Sequence, residues 1–164
     1  MQHRFFEHPQ GSFALVADRD QLVGVMWRDN REETARDLNA VYPASREESS
    51  ALLENSWSQI ESYLAGERTQ WQIPIEIRGV TPFQKRVLQA LQNCRYGETL
   101  TYGELAERAG SPRAARAVGA AMAANPLPLL IPCHRVIGAG RRLTGYSGGR
   151  GIASKKYLLE LENR

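Results

Sequence analysis

Cysteine and histidine are scarce in this chain: only Cys94, Cys133 and three histidines occur among 164 residues. Two cysteines so far apart exclude a disulfide framework, and together with His3, His8 and His134 they do not make zinc-ligand spacing, so no metal is expected. Long hydrophobic runs are missing as well. No stretch approaches a membrane span, and the first residues lack the basic, apolar and small-residue succession of a secretory leader. Internal repeats and low-complexity tracts are absent. Two unpaired thiols suit a reducing compartment, so a cytoplasmic location with no membrane partner is expected. What remains, 42% hydrophobic and 24% charged residues, is the composition of a globular protein, long enough for one ordinary domain or two small ones.

Acidic charge is short in one half only. Residues 1–78 carry 8 Lys+Arg against 13 Asp+Glu, a balance of −5, whereas residues 79–164 carry 13 against 5, a balance of +8. A polyanion-binding half attached to an acidic half has this distribution, although solvated basic helix faces would also produce it.

The first half reads as α/β. Ser12–Ala17 and Leu22–Trp27 are strand-like runs on either side of the polar residues 18–21, the pattern of a hairpin. A helix is expected over Arg31–Val41, ended by Tyr42-Pro43. Ser45 with Glu48 forms a capping-box signature for a second helix, which places Leu53, Trp57, Ile60 and Leu64 on one face and stops at Gly66. Trp71, Ile73, Ile75 and Ile77 alternate with polar residues or proline and predict a one-sided edge strand.

The second half is helical and well punctuated. Thr81-Pro82-Phe83-Gln84 combines an N-cap, a proline at the first helical position and a capping-box glutamine; the helix it opens is expected to bury Phe83, Val87, Leu88, Leu91 and Cys94. Thr101–Glu104 repeats the signature for a short helix stopped by Gly110. Ser111-Pro112 then opens another helix running to about Ala124. Two helices joined by a Gly-Ser-Pro turn predict a helix-turn-helix, for which an ordinary helical hairpin is the bland rival. Against that rival, the second helix is small-faced nearly all round and carries Arg113 and Arg116 at its start, where cations oppose the helix dipole and a phosphate would relieve them.

The chemistry is expected in Leu129–Ile137, an apolar run interrupted by Cys133-His134-Arg135. Cys94 reads as an inert core thiol. Cys133 differs because the histidine and arginine beside it favour the thiolate, which is the nucleophilic form. In extended backbone, neighbouring side chains point to opposite faces, so a bridging water or a bent backbone is needed to couple Cys133 to His134. An orienting acid must come from elsewhere in the chain. Residues 145–151 are glycine-rich but lack the lysine and strand context of a phosphate loop.

The run Asn125-Pro126-Leu127-Pro128-Leu129-Leu130-Ile131-Pro132-Cys133-His134-Arg135-Val136 resembles the active-site segment of the O6-alkylguanine-DNA alkyltransferases. Ala114-Ala115-Arg116-Ala117-Val118-Gly119 upstream and Gly145-Tyr146-Ser147-Gly148-Gly149 downstream agree with it, and the resemblance extends from about Thr81 to Glu162. It implies an α+β protein. Residues 1–78 would form a small α/β N-terminal domain, an antiparallel sheet with helices and RNase H-like. Residues 79–164 would form a helical C-terminal domain with the helix-turn-helix. The resemblance further implies single-turnover DNA repair. Cys133 would be the alkyl acceptor and His134 its base, acting through a water, with Glu162 as the acid orienting His134 and Glu160 as the alternative. Asn125 would fix the turn before the active-site strand. Tyr102 would help rotate the nucleotide out and donate a proton or hydrogen bond to the departing guanine.

Arg116 would fill the vacated place in the base stack, and Pro128, Val136, Tyr146, Ser147 and Gly148 would line the pocket. The small-faced helix, with Ala114, Ala115, Ala117, Ala120 and Ala121, would enter the minor groove of double-stranded DNA containing O6-alkylguanine, and Arg113 and Arg135 would join Arg116 at the DNA. No cofactor is implied, because the alkyl group comes from the DNA. A monomer is expected, with cooperative binding on DNA left open. Relatives that hold zinc do so through cysteines in the first domain, where this chain has none. The segment 150–156 is expected to be a loop slightly longer than in some members. Two rival functions are a helix-turn-helix sensor that binds alkylated DNA without repairing it, and a Cys-His hydrolase acting on acyl substrates.

Overall fold

The computed structural model describes residues 1–164 and shows a mixed α/β protein with a four-stranded sheet and six α-helices. The chain forms two compact units. The first comprises Met1–Arg78 together with Gly148–Arg150, and the second Gly79–Ser147 with Gly151–Arg164.

In the first unit, strands β1 (Gln2–His8), β2 (Gly11–Asp18) and β3 (Gln21–Arg28) form an antiparallel meander, and β4 (Arg46–Glu47) adds to β1 in parallel, in the order β3-β2-β1-β4. The expected hairpin is present. β1 was not anticipated, because its residues do not alternate cleanly between apolar and polar. Side-chain alternation along β2 then builds two cores. Ala14 and Val16 pack with Val23, Leu38 and Tyr42 on the side of α1 (Arg31–Val41). Phe13 points the other way, stacking on Trp27 with centroids 5.1 Å apart and meeting Trp57 of α2 (Ala51–Leu64) at 5.1 Å.

Two expectations for this unit are corrected. Helix α2 starts at Ala51, capped by Ser50, whose hydroxyl accepts from the Leu53 N–H; Ser45 and Glu48 form no capping box. Their stretch is drawn onto the β1 edge instead, where Arg46 N–H donates to Met1 O and Glu48 N–H to His3 O. The face of Leu53, Trp57, Ile60 and Leu64 is buried as expected, and Gly66, at φ 78°, ends the helix with the paired Gly66→Tyr63 and Glu67→Ser62 bonds of a Schellman motif. The predicted strand over residues 71–77 shrinks to a single bridge between Ile75 and Leu22. Pro74 has no N–H for a ladder, and only its carbonyl is used, accepting from Leu22.

In the second unit, α3 (Pro82–Leu91) carries the full Thr81/Gln84 capping box. It buries Val87, Leu88 and Leu91 and packs with α4 (Tyr102–Arg108) and α5 (Ala115–Ala123), while Phe83 stays half-buried. The Thr101 hydroxyl caps α4 by accepting from Glu104 N–H, and Gly110, at φ 79°, supplies its left-handed stop. Helix α5 begins three residues later than expected. Ser111–Ala114 is spent on a tight turn closed by Ala114 N–H donating to Ser111 O, so Arg113 lies in that turn and not in the helix. Strands β5 (Leu100–Thr101) and β6 (Val136–Ile137) pair in parallel, and α6 (Ile152–Glu162) closes the unit. The long loop expected before α6 reduces to Arg150 and Gly151. No helix is long and apolar enough to cross a membrane.

Candidate active site

The backbone at Cys133 is bent, one of the two alternatives that coupling to His134 required. Pro132 (φ −80°, ψ 65°) is the centre of an inverse γ-turn, closed by Cys133 N–H donating to Ile131 O at 2.8 Å, and residues 133–135 continue as one 3-10 turn before β6. A proline cannot extend a ladder through its nitrogen, and the 3-10 turn rotates successive side chains by roughly a third of a circle instead of the half circle of a strand. Cys133 and His134 therefore do not point to opposite faces.

Asn125 braces the approach to this turn from within. Its side-chain amide donates to Ile131 O at 2.9 Å and its Oδ1 accepts from Leu127 N–H at 3.0 Å, closing the loop in which Leu129 sits at φ 74°.

The two residues after Cys133 begin a buried polar cluster. His134, fully buried, shares its Nε2 with Glu162 Oε1 at 2.9 Å. Of the two candidate acids it is Glu162, at the end of α6, that meets the imidazole, while Glu160 is exposed and lies 3.9 Å from Lys156. Arg135 completes the cluster with bonds from Nε and Nη2 to the Glu162 carboxylate (2.7–3.1 Å) and from Nη1 to Cys94 O (2.7 Å). Only 5% exposed, Arg135 is turned inward, which corrects its expected place at the DNA. A guanidinium fits a carboxylate bidentately, and here that fit consumes its charge. Burial alone would raise the Glu162 carboxyl, but the hydrogen bonds from His134 and Arg135 outweigh it and hold the group at about 2.

Electrostatics correct a further expectation. Burial pushes the Cys133 thiol above its ordinary value, and the opposing influence of Asn125, of the Lys155 charge and of the backbone N–H groups of residues 133 and 134 does not reverse this. Burial likewise pulls His134 below its ordinary value despite Glu162. The resting pair is thus thiol and neutral imidazole, not thiolate and imidazolium. With Nε2–H donated to an ionised carboxylate, the imidazole lone pair resides on Nδ1.

Cys133, 8% exposed, opens onto a cleft of about 300 Å³ lined by Tyr102, Gly119, Met122, Ala123, Cys133, Gly145, Tyr146 and Ser147. Tyr102, Tyr146 and Ser147 were expected there. Gly119, Met122, Ala123 and Gly145 were not. Pro128, Val136 and Gly148 are absent from the lining: Val136 is fully buried, Pro128 lies in the Asn125-braced loop, and Gly148 belongs to the first compact unit. Lys155 is a second omission of sequence reading. It is 1% exposed, and its ammonium donates to Val136 O at 2.5 Å and Thr144 O at 2.9 Å. The signal was available, since Lys155, Leu158 and Glu162 recur at i, i+3 and i+7 on one helix face.

On α5, Ala115, Arg116, Ala117 and Ala120 are exposed, whereas Ala121 is fully buried beside Val118, which removes Ala121 from the expected contact face. No side chain caps the start of this helix, whose second residue is Arg116.

Residues 82–164 match the family described as 6-O-methylguanine DNA methyltransferase, DNA binding domain. The methylated-DNA--protein-cysteine methyltransferase of Mycobacterium bovis is 53% identical over 99% of this chain and 92% of its own length, and that of Methanosarcina acetivorans is 40% identical over 99% and 98%. The chain belongs to the methylated-DNA–protein-cysteine methyltransferase family. Solved structures agree with the assignment. Mycobacterium tuberculosis OGT in complex with DNA superposes with a TM-score of 0.85 at 40% identity, covering 99% of this chain and 92% of that one. The O6-methylguanine-DNA methyltransferase of Pyrococcus kodakaraensis gives 0.73 at 26% identity, covering 99% of both. Within this family, the Cys133 cleft is the place to look for the acceptor.

Proposed function

We propose that this protein repairs DNA by transferring the alkyl group of O6-alkylguanine to Sγ of Cys133, irreversibly and once per molecule. The observation that carries this reading is the placement of Cys133: it lines a cleft of about 300 Å³, and the residue after it, His134, is held by Glu162 at 2.9 Å. The sulfur attacks the alkyl carbon as the carbon–O6 bond breaks. The thiol proton passes through a water to Nδ1 of His134, and the ionised Glu162 stabilises the imidazolium so formed. The thioether product is not hydrolysed under mild conditions, and the cleft offers no group to remove it.

The O6 position is hidden inside a duplex, so the nucleotide must be extruded at a cost of roughly a few kcal/mol. We assign residues 79–164 as the alkyltransferase domain and α4, the turn through Ser111–Ala114 and α5 as its helix-turn-helix, with α5 entering the minor groove. The exposed Ala115, Ala117 and Ala120 let backbone and groove approach closely, Arg116 fills the vacated stack, and Arg113 in the turn reaches a phosphate. Tyr102 assists the departing base. Residues 1–78 would form the RNase H-like supporting domain, and the protein would act as a monomer.

The test is intact mass after mixing with duplex DNA containing O6-methylguanine. One methyl mass should appear, mapping to Cys133, and Cys133→Ala should bind the same DNA without gaining mass. Binding with no mass change in the unmodified protein would instead identify a sensor and overturn the proposal.

A further inference from the structure

One hydrogen bond made by a residue of the cleft lining does not belong to the cluster of His134, Arg135 and Glu162. The Tyr102 hydroxyl, at the start of α4, lies 3.0 Å from Thr144 Oγ1, in the segment between β6 and α6. Tyr102 and the residues directly after Thr144 line the same cavity as Cys133. Thr144 is itself held from two sides. Its carbonyl accepts from the buried Lys155 ammonium, which also grips Val136 O, three residues beyond Cys133. Its methyl occupies the space over Gly138, where a Cβ would stand only 3.0 Å from Thr144 Cγ2. A β-branched side chain has few χ1 states to begin with. With the carbonyl and methyl both occupied, the hydroxyl is left aimed at Tyr102.

We propose that Thr144 is a positioning residue for the transfer: its hydroxyl donates to the Tyr102 oxygen, so that the Tyr102 proton is kept for the departing purine. This rests on the function proposed above. As the sulfur–carbon bond forms and the carbon–O6 bond breaks, the purine leaves with the bonding electron pair and takes a proton from Tyr102. The thiol proton, taken up by His134, returns through solvent to the phenolate, so the net change moves one proton from sulfur to guanine. A hydrogen bond accepted by the phenolic oxygen stabilises the charge that develops there. Without Thr144 the hydroxyl could equally turn its proton away from the base.

The test is a double-mutant cycle read by single-turnover transfer to Cys133, from both duplex O6-methylguanine and free O6-benzylguanine. Thr144→Val keeps the methyl packing and removes the donor, and should slow transfer about 3- to 10-fold, the range for one neutral hydrogen bond. Thr144→Ser restores the hydroxyl and should rescue most of the loss. In a Tyr102→Phe background, Thr144→Val should add nothing, because the group it positions is gone. Unchanged transfer in Thr144→Val would overturn the proposal, as would the same slowing with and without the Tyr102 hydroxyl, since that pattern belongs to a structural role. A wild-type protein that never alkylates Cys133 would instead remove the underlying function along with this inference.

Discussion

Replacing Glu162 by glutamine is the most informative single change, because it preserves shape and removes one charge from a fully enclosed cluster. The Glu162 side chain is 1% exposed and accepts from both His134 and Arg135. Its carboxyl, at about 2 against an ordinary 4.5, is a stronger acid in the folded than in the unfolded chain. That difference corresponds to about 3 kcal/mol of folding free energy at roughly 1.4 kcal/mol per pH unit. Removing one partner of a buried pair costs a similar amount, roughly 3–5 kcal/mol, because the other charge stays buried. Here the group that loses its carboxylate is Arg135, which also donates to Cys94 O and lies over the Tyr96 ring, 5.8 Å away. The unfolded state takes up its proton first as pH falls. The stabilisation is therefore complete above about pH 5 and is lost progressively towards pH 2.

Urea unfolding should be followed by circular dichroism and not by tryptophan fluorescence, since Trp27, Trp57 and Trp71 all lie in the first compact unit. Glu162→Gln should lie about 3 kcal/mol below the wild type at pH 7, and the gap should close as the pH is lowered from 5 towards 2. A gap under about 1 kcal/mol at pH 7, or one constant from pH 6 to pH 3, would refute the assignment of Glu162 as the ionised centre of this cluster.

Arg116→Ala should slow repair of duplex DNA more than alkyl transfer from free O6-benzylguanine, because only the duplex requires extrusion; equal losses in single-turnover kinetics would count against its role in the base stack. Ser50→Ala should cost about 1 kcal/mol of stability in urea titrations through loss of the α2 cap. Cys133 should react with iodoacetamide at a rate that keeps rising with pH through neutrality, as a thiol held above its ordinary value requires; a plateau reached below pH 7 would show a preformed thiolate.

Much of this architecture was legible because local signals coincide with tertiary need. Thr81–Gln84 caps a helix whose apolar face is also the one buried, and Arg31–Val41 is bounded as its pattern predicts. Legibility failed where a long-range partner overrode a local signal. Ser45 and Glu48 carry a sound capping box, yet the open edge of β1 takes their backbone. Residues 71–77 alternate like a strand, yet Pro74 leaves only one bridge. Arg135 follows a reactive cysteine like a DNA-binding cation, and nothing local shows that a carboxylate 27 residues later will enclose it. Residue identity carried the site, whereas the direction each side chain faces emerged only with the packing.

That enclosure bears on how the thiol is activated. Two cations lie near Cys133 along the chain or in space, and neither is committed to ionising it: Arg135 is bound to Glu162, and Lys155 to two backbone carbonyls. Desolvation then dominates and keeps the proton on sulfur. A group that is used once and never regenerated has reason to stay a poor nucleophile until its substrate arrives, because every stray alkylation ends a molecule's working life. In that reading the His134–Glu162 pair would meet this need, with a neutral imidazole whose lone pair is on Nδ1 and an ionised carboxylate bonded to Nε2. On the function proposed above, the thiolate would be generated only as the alkyl carbon is attacked, and the cost of charge separation would fall within the transition state, where the Glu162 carboxylate would stabilise the imidazolium.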